Sequence, residues 1–190
     1  MAPAPLSPAL LMIDVQMAFV HDRDAGYPWA NPEAEARIAD LLAAFRAAGL
    51  PVIHIHHHGL DPRDTMHATA PGAVVQPCAA PVGAEPVVVK HGASAFIGTD
   101  LAQRLAALGN PALVLAGGAA NVCVESTARM AGNLGFSTTV VADALINFQK
   151  TLRDGRVMPP ADVLALTLAN LDGEFARITD TATVLAEIAG

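Results

Sequence analysis

Three side chains of different chemistry stand at the ends of apolar runs in this chain of 190 residues. Asp14 closes the run LLMID, Lys90 closes VVVK, and Cys123 follows LVLAGGAANV. A thiol becomes a nucleophile when a base takes its proton and a cation stabilises the charge that results. The three residues therefore predict a cysteine-based acyl-transfer site, provided that the fold brings the three run ends together.

Cys123 is the most informative of the three residues because of the segment that precedes it. A Gly-Gly turn and Asn121, a suitable helix cap, place its sulfur in the first turn of a predicted helix. The positive end of a helix favours a thiolate, and its free amides can hold an oxyanion. The alternatives are structural: a buried apolar cysteine, a carboxylate that caps a loop at Asp14, and an edge lysine at position 90 that reaches water.

The elements that would position these residues alternate between strands and helices. β-Branched runs predict strands near 10–14, 52–55, 87–89, 112–116, 136–142 and 175–178. Helical spacing predicts helices over 31–49, 99–109, 122–135, 162–171 and 181–188, while 21–31 and 59–86 lack a period. This alternation predicts an α/β fold of three layers, α/β/α, in one domain over residues 1–190, with a mainly parallel sheet of six strands. Ligands of such sheets bind outside the carboxyl ends of the strands.

Composition excludes several classes of protein. Hydrophobic residues make up 53% and charged residues 15%, which is too apolar for a disordered chain. The net charge of −7 argues against a general nucleic-acid binder, and two cysteines cannot form a disulfide framework. The sequence has no basic leader and no apolar run of about 18 residues. We therefore predict a soluble cytoplasmic protein with no membrane or nucleic-acid partner.

Three longer segments resemble the isochorismatase-like cysteine hydrolases, a family that includes nicotinamidases and N-carbamoylsarcosine amidases. They are LLMIDVQMAF, VVVKHGASAFIGTDL and LAGGAANVCVESTARMA, and the resemblance extends over residues 8–185. It implies the strand order 3-2-1-4-5-6 and assembly into a homo-oligomer. In that order the strand of Lys90 lies at an edge, so the loop after it would have to fold back over the site.

The resemblance also assigns roles to residues around the cysteine. It implies that the three residues above form a catalytic triad. It further implies a cis peptide bond between Gly118 and Ala119, and an oxyanion hole made by the amides of Ala119 and Cys123. The family commonly has Thr where this chain has Ala120, so a hydroxyl that would brace the turn is missing.

Five residues are predicted to contact the substrate. Gln16 either orients water or substrate or only closes a turn, and Trp29 lies in a loop suited to a lid. Phe96 follows Lys90 in the matched segment and is expected to line the pocket. Phe19 and His56 complete the set.

The histidine-rich segment HIHHH, residues 54–58, departs from one branch of the family. Nicotinamidase-like members hold a divalent ion with an Asp-x-His pair at this place and a later histidine, and this chain has no Asp there. Imidazoles of His56 and His58 suit zinc if they share a face, yet no third ligand is identifiable. We predict no metal and no cofactor.

The function that these residues predict is hydrolysis of a small amide or ureido C–N bond through a thioester intermediate. One alternative is an isochorismatase-type hydrolase that cleaves a vinyl ether with Asp14 and forms no covalent intermediate. Another is a non-catalytic module that binds a small molecule on the same fold.

Overall fold

A computed structural model describes residues 7–190 of the chain. Its strands, in chain order, are β1 (Pro8–Ile13), β2 (Trp29–Ala30), β3 (Val52–His57), β4 (Val87–Lys90), β5 (Ala112–Gly118), β6 (Thr138–Phe148), β7 (Lys150–Thr151), β8 (Val157–Met158) and β9 (Arg177–Thr179). Its helices are α1 (Met17–Asp24), α2 (Ala34–Ala47), α3 (Leu101–Ala107), α4 (Glu125–Asn133), α5 (Pro160–Leu171) and α6 (Thr181–Ala189).

The central sheet has the predicted strand order. Its parallel strands run β4-β3-β1-β5-β6, and β9 pairs with the first half of β6. Numbered as the six predicted strands, this is the order 3-2-1-4-5-6, so the α/β fold class is confirmed. A seventh strand, the two-residue β2, pairs antiparallel with the end of β6 and was not predicted.

The core lies on both faces of the sheet because successive residues of a strand point to opposite sides. In β1, Leu11 and Ile13 pack on one face with apolar residues of α3, α4 and α5. Leu10 and Met12 pack on the other face with residues of α2 and α6. The sheet is therefore the middle of three layers, and its central strand β1 is buried on both sides.

Two segments predicted to lack regular structure contain short helical or extended elements. Residues 21–31, expected to be a loop, contain the end of α1 and the strand β2. The excursion 59–86 contains two short 3-10 turns at Pro71–Ala73 and Pro77–Ala79, and Val75 forms a β-bridge with Gln16 just past β1. The excursion therefore packs back beside the carboxyl end of the central strand.

The second helix starts later than the predicted start at residue 31. Helix α2 begins at Ala34, and Asn31 has a φ of +58°. Its side-chain amide donates to the carbonyls of Ala142 and Leu145, where the register between β5 and β6 shifts. Carbonyls in such an irregular stretch lack ladder partners, and Asn31 satisfies two of them.

No helix among residues 7–190 has the length and apolar character needed to cross a bilayer.

Candidate active site

The carboxyl ends of β1, β4 and β5 bring the three predicted residues together. Asp14 directly follows β1 and has a φ of +49°, a left-handed conformation that Asp tolerates better than most residues. Lys90 is the last residue of β4, and Cys123 lies in the turn after β5. The Lys90 ammonium lies 2.7 Å from Asp14 Oδ2 and 3.2 Å from Cys123 Sγ.

Lys90 reaches the site with its own side chain. Strand β3 separates β4 from β1, so the ammonium must span two inter-strand spacings of roughly 4.8 Å each. The four-carbon stem of lysine covers that distance together with the Asp14 side chain. The loop after Lys90 does not have to fold back, contrary to our expectation from the edge position of its strand.

The ion pair between Asp14 and Lys90 is withdrawn from solvent. The side chains are 1% and 0% exposed, respectively. Burial raises the pKa of the Asp14 carboxyl, while the charge and hydrogen bond of Lys90 oppose the rise. Burial of a charge is costly unless the charge is paired, and here two groups of opposite charge lie 2.7 Å apart.

Cys123 lies in a π-helical turn, Ala120–Val124, rather than in the first turn of an α-helix as predicted. The amide of Glu125 donates to the carbonyl of Ala120, five residues back, and α4 begins only there. Wide turns of this kind are frequent at functional sites. The cysteine remains half-buried, so its sulfur is not sealed within the core.

The resting sulfur is a thiol, which corrects our expectation that a helix end would favour a thiolate. Burial, followed by the negative charge of Asp14, raises the pKa of Cys123 to about 12, and Lys90 opposes this only in part. The sulfur therefore needs a base if it is to act as a nucleophile, and the Asp14 carboxylate contacts the same Lys90 ammonium as the sulfur.

The turn between β5 and Cys123 passes too close to its neighbours for larger residues. Gly117 has a φ of +115°, and a Cβ there would lie 2.0 Å from the carbonyl oxygen of Ile13. A Cβ on Gly118 would lie 2.6 Å from the Phe19 ring. The peptide bond between Gly118 and Ala119 is cis. Phe19 therefore lies directly against the peptide predicted to begin the oxyanion hole.

The turn that contains the two amides assigned to the oxyanion hole is held by one carbonyl group. The amides of Val122 and Val124 donate to the carbonyl of Ala119, which anchors the turn. Ala120 is fully buried in the core beneath it, where the family commonly has Thr. The roles of the Ala119 and Cys123 amides stay predictions.

Gln16 does not have the substrate contact that we predicted for it. Its side chain is fully buried, and Nε2 donates to the carbonyls of His57 and Ala73. Its Oε1 accepts from the amide of His57. Because these bonds occupy the whole side-chain amide, Gln16 holds β3 and the 59–86 excursion together, as the turn-closing alternative implied.

His57, which we did not predict as a site residue, lies beside the three reactive groups, where we expected His56. Its Nδ1 lies 3.3 Å from Lys90 Nζ, and the two residues are cross-strand partners in the sheet. His54 and His56 point to the opposite face, where their rings meet edge to face. The strand alternation that puts Ile53 and Ile55 in one core layer assigns His57 to the same face, and this signal was available in the sequence.

His56 lies beside the His54 ring, on the face of β3 opposite to His57. Its Nε2 is buried and has no hydrogen-bond partner among the described residues. Burial lowers the pKa of its imidazole to about 4, so the ring is neutral. His56 is therefore not beside the three reactive groups, and a direct contact with substrate there is not supported by its position.

The remaining predicted contacts, Trp29 and Phe96, each pack against another side chain. The Arg23 guanidinium lies 4.8 Å from the centroid of the Trp29 ring, and Trp29 pairs with Phe148 at the carboxyl end of β6. The ring of Phe96 lies 5.8 Å from that of Phe136. Their roles in substrate binding stay predictions.

The donor set for a nicotinamidase-type metal ion is not assembled here. Within residues 7–190, no three His, Cys, Asp or Glu side chains are grouped to hold an ion. His54 Nε2 is engaged with Glu85 at 2.9 Å, which removes one imidazole from the histidine segment. The residues present do not fit that metal site.

Comparison with known proteins places this geometry in a family. The family model for the isochorismatase domain matches residues 8–158, which include all three reactive residues. The chain belongs to the isochorismatase family. This family includes amidohydrolases, and the resemblance seen in the sequence is confirmed.

Individual relatives cover most of this isochorismatase-family chain. YrdC of Bacillus subtilis, an isochorismatase family protein, is 34% identical and covers 91% of both chains. The ureidoacrylate amidohydrolase RutB of Methylobacterium radiotolerans is 30% identical over 95% of this chain and 80% of RutB. A crystal structure of a putative hydrolase of the family from Chromobacterium violaceum has a TM-score of 0.91 and 43% identity, covering 98% of each chain.

Proposed function

We propose that this chain is a cysteine hydrolase that cleaves the C–N bond of a small amide or ureido compound. The observation that carries the proposal is the position of one buried ammonium, Lys90 Nζ, in contact with both a carboxylate and a thiol. A nucleophile, a base and a cation in mutual reach are the groups that acyl transfer to sulfur requires.

The first half-reaction forms the acyl-enzyme. The Asp14 carboxylate takes the proton of the Cys123 thiol as Sγ attacks the carbonyl carbon of the substrate. Charge moves onto the carbonyl oxygen, which the backbone amides of Ala119 and Cys123 hold. The C–N bond then breaks, Asp14 returns its proton to the nitrogen, and ammonia or an amine leaves. A thioester remains on Cys123, or a thiocarbamate when the substrate is a ureido compound.

The second half-reaction regenerates the thiol. Asp14, again a carboxylate, takes a proton from water as the water oxygen attacks the thioester carbon. The C–S bond breaks, and the sulfur recovers its proton from Asp14. The products are the carboxylic acid and the free enzyme, so atoms and charge balance over the two steps.

Lys90 has an electrostatic role in both steps. Its positive charge lowers the pKa of Cys123 and of Asp14 against the effect of burial. It therefore stabilises whichever of the two groups, Asp14 or Cys123, is the anion. In a buried site this attraction is not screened by salt.

The proposed bond type agrees with the activity named for one relative. RutB, an amidohydrolase of ureidoacrylate, is 30% identical to this chain over the aligned region, which covers 80% of RutB. A small amide or ureido compound is therefore the substrate class to examine first.

We also propose, less directly, that the chain works in the reducing cytoplasm. Cys78 and Cys123 are both free thiols, which agrees with a reducing compartment. Association of copies into a homo-oligomer stays a prediction.

A screen for ammonia release from primary amides, carbamoyl compounds and ureido acids tests the proposal. The chain offers a matched control, because its two cysteines allow Cys123→Ala to be compared with Cys78→Ala. We expect Cys123→Ala to lower kcat/KM by at least about 10³-fold, as loss of a catalytic nucleophile does. Cys78→Ala should retain activity. Full turnover by Cys123→Ala, or cleavage of vinyl ethers alone by the wild type, would overturn the proposal.

A further inference from the structure

The Lys90 ammonium has more acceptors around it than the reaction uses. Besides Asp14 and Cys123, the Gly92 carbonyl lies 3.2 Å and His57 Nδ1 3.3 Å from Nζ. An ammonium has three N–H donors and no acceptor, so four acceptors share three protons. Two of the four are neutral groups that undergo no chemistry in the proposed steps.

The imidazole of His57 can only accept in this contact. Because Lys90 has no lone pair as an ammonium, Nδ1 of His57 must be unprotonated and Nε2 must hold the ring proton. Burial and the Lys90 charge both lower the pKa of His57, and the carboxylates of Asp14 and Asp64 oppose them. The charged groups that face His57 are thus Asp14 just after β1, Lys90 at the end of β4 and Asp64 in the 59–86 excursion.

The main chain of His57 is fixed independently of its ring. Gln16 donates to its carbonyl at 3.0 Å and accepts from its amide at 2.8 Å. Gln16 is itself buried and held between β3 and the excursion. The imidazole therefore has a rigid base from which to hold a neighbouring cation.

We propose that His57 is a positioning residue, whose Nδ1 accepts a hydrogen bond from Lys90 and keeps the ammonium against Cys123 while Asp14 gains and loses a proton. The role rests on the proposed function. When Asp14 is protonated, Lys90 loses its carboxylate partner, and the neutral acceptors His57 and Gly92 then keep the ammonium beside the sulfur. Without His57, the ammonium is free to move toward the remaining acceptors and away from the sulfur.

The test compares His57→Asn with His57→Leu. Asn carries an oxygen near the position of Nδ1 and keeps the acceptor, whereas Leu fills the space without one. His21→Leu, which removes an exposed imidazole on α1, is the control. The readout is the second-order rate of alkylation of Cys123 by iodoacetamide between pH 6 and 9, resolved by peptide mass mapping. This rate requires no substrate, so it is independent of whether the amide reaction is correct.

We expect His57→Leu to lower the alkylation rate of Cys123 by about tenfold or more, since hydrogen bonds to charged groups are worth at least that factor. His57→Asn should recover most of the wild-type rate, and His21→Leu should equal it. Equal rates for His57→Leu and wild type would overturn the proposal, as would equal losses in the Leu and Asn variants.

The ¹⁵N resonances of His57 in the wild type give a second test that needs no variant. The Nε2–H tautomer is expected, and an Nδ1–H tautomer would contradict the role.

Discussion

At the scale of single residues, the site depends on one lysine that contacts two acidic groups, a carboxyl and a thiol. Lys90 contacts the Asp14 carboxylate and the Cys123 thiol at the same time, and it is wholly buried. The pKa values of both partners are raised by burial, and Lys90 opposes the rise in each. The residue therefore sets the pH range over which the carboxylate acts as a base.

Replacement of Lys90 by Met should raise the pKa of Asp14 further, because its charge and hydrogen bond lower that pKa in the wild type. An opposite charge at this distance shifts a carboxyl by about one unit or more. The acid limb of activity should then move to higher pH, since the base must be ionised. Titration of the Asp14 carboxyl carbon by NMR measures the shift. Lys150→Met, which changes the chain's other lysine at an exposed site on β7, should leave the titration unaltered. An Asp14 pKa equal in wild type and Lys90→Met would count against this role.

Which residues of the site are visible in the sequence also has a physical explanation at this scale. Asp14, Lys90 and Cys123 are visible because polar groups at the ends of apolar runs are unusual. His57 was confused with His56 because a strand assigns faces by alternation, and an error of one residue exchanges them. Gln16 was misassigned because its partners come from the 59–86 excursion, whose path no local pattern encodes.

At the scale of elements, strand β4 is held in place by a partly buried ion-pair network just before it. Glu85 accepts from Arg46 of α2 at 2.7 Å and 2.8 Å, and contacts His54 of β3 at 2.9 Å. The hydrogen bonds from Arg46, the Val82 amide and His54, together with the charge of Arg46, lower the pKa of Glu85 to about 2 against the opposing effect of burial. The network fixes the start of β4 against the sheet, and Lys90 ends that strand.

Glu85→Gln should destabilise the protein by about 2–3 kcal/mol at neutral pH, because a carboxyl with a lowered folded pKa stabilises the ionised fold. The sign follows from linkage: the stabilisation is present above the unfolded pKa of about 4.5 and is lost as pH falls toward about 2. Urea denaturation at pH 7 and pH 3 measures the difference from wild type. Glu187→Gln, at an exposed ion pair with Arg177, should change stability by at most about 1 kcal/mol. A loss at pH 3 as large as that at pH 7 would show that packing, not ionisation, is responsible.

Sequence patterns located the six main strands and most helices, but not the features that depend on distant partners. The π-helical turn that carries Cys123 has no periodicity of its own, so an α-helix was predicted through it. Strand β2 forms only because β6 continues to Phe148, beyond its predicted end. Asn31 donates hydrogen bonds to carbonyls in an irregular stretch of β6 that lies more than a hundred residues later in the chain. Tertiary contacts decide all three.

At the scale of the whole molecule, the buried charges of the site lower the stability of the fold. A carboxylate and an ammonium are buried at the end of the central strand, where apolar side chains would pack without loss of hydration. Functional sites commonly lower stability in this way. The surrounding core layers, with the sheet between them, must supply the compensating free energy.

The double variant Asp14→Asn/Lys90→Met should therefore be less destabilised than the sum of its single variants. Each single change leaves one buried charge unpaired and should cost about 3–5 kcal/mol, whereas the double change removes both charges. Urea denaturation of the four proteins gives the coupling free energy. The exposed pair Asp100–Arg104, changed in the same way, should show a much smaller coupling, because solvent screens its charges. Additive losses at Asp14 and Lys90 would show that the two charges are not coupled in the fold.

The covalent intermediate is the central claim, and hydroxylamine tests it most directly with whichever amide releases ammonia in the screen. If a thioester forms on Cys123, hydroxylamine will intercept it and give a hydroxamate whose share of the product rises with the hydroxylamine concentration. The Cys123→Ala variant should give neither product. Turnover that yields only the carboxylic acid at every hydroxylamine concentration would contradict the acyl-enzyme account.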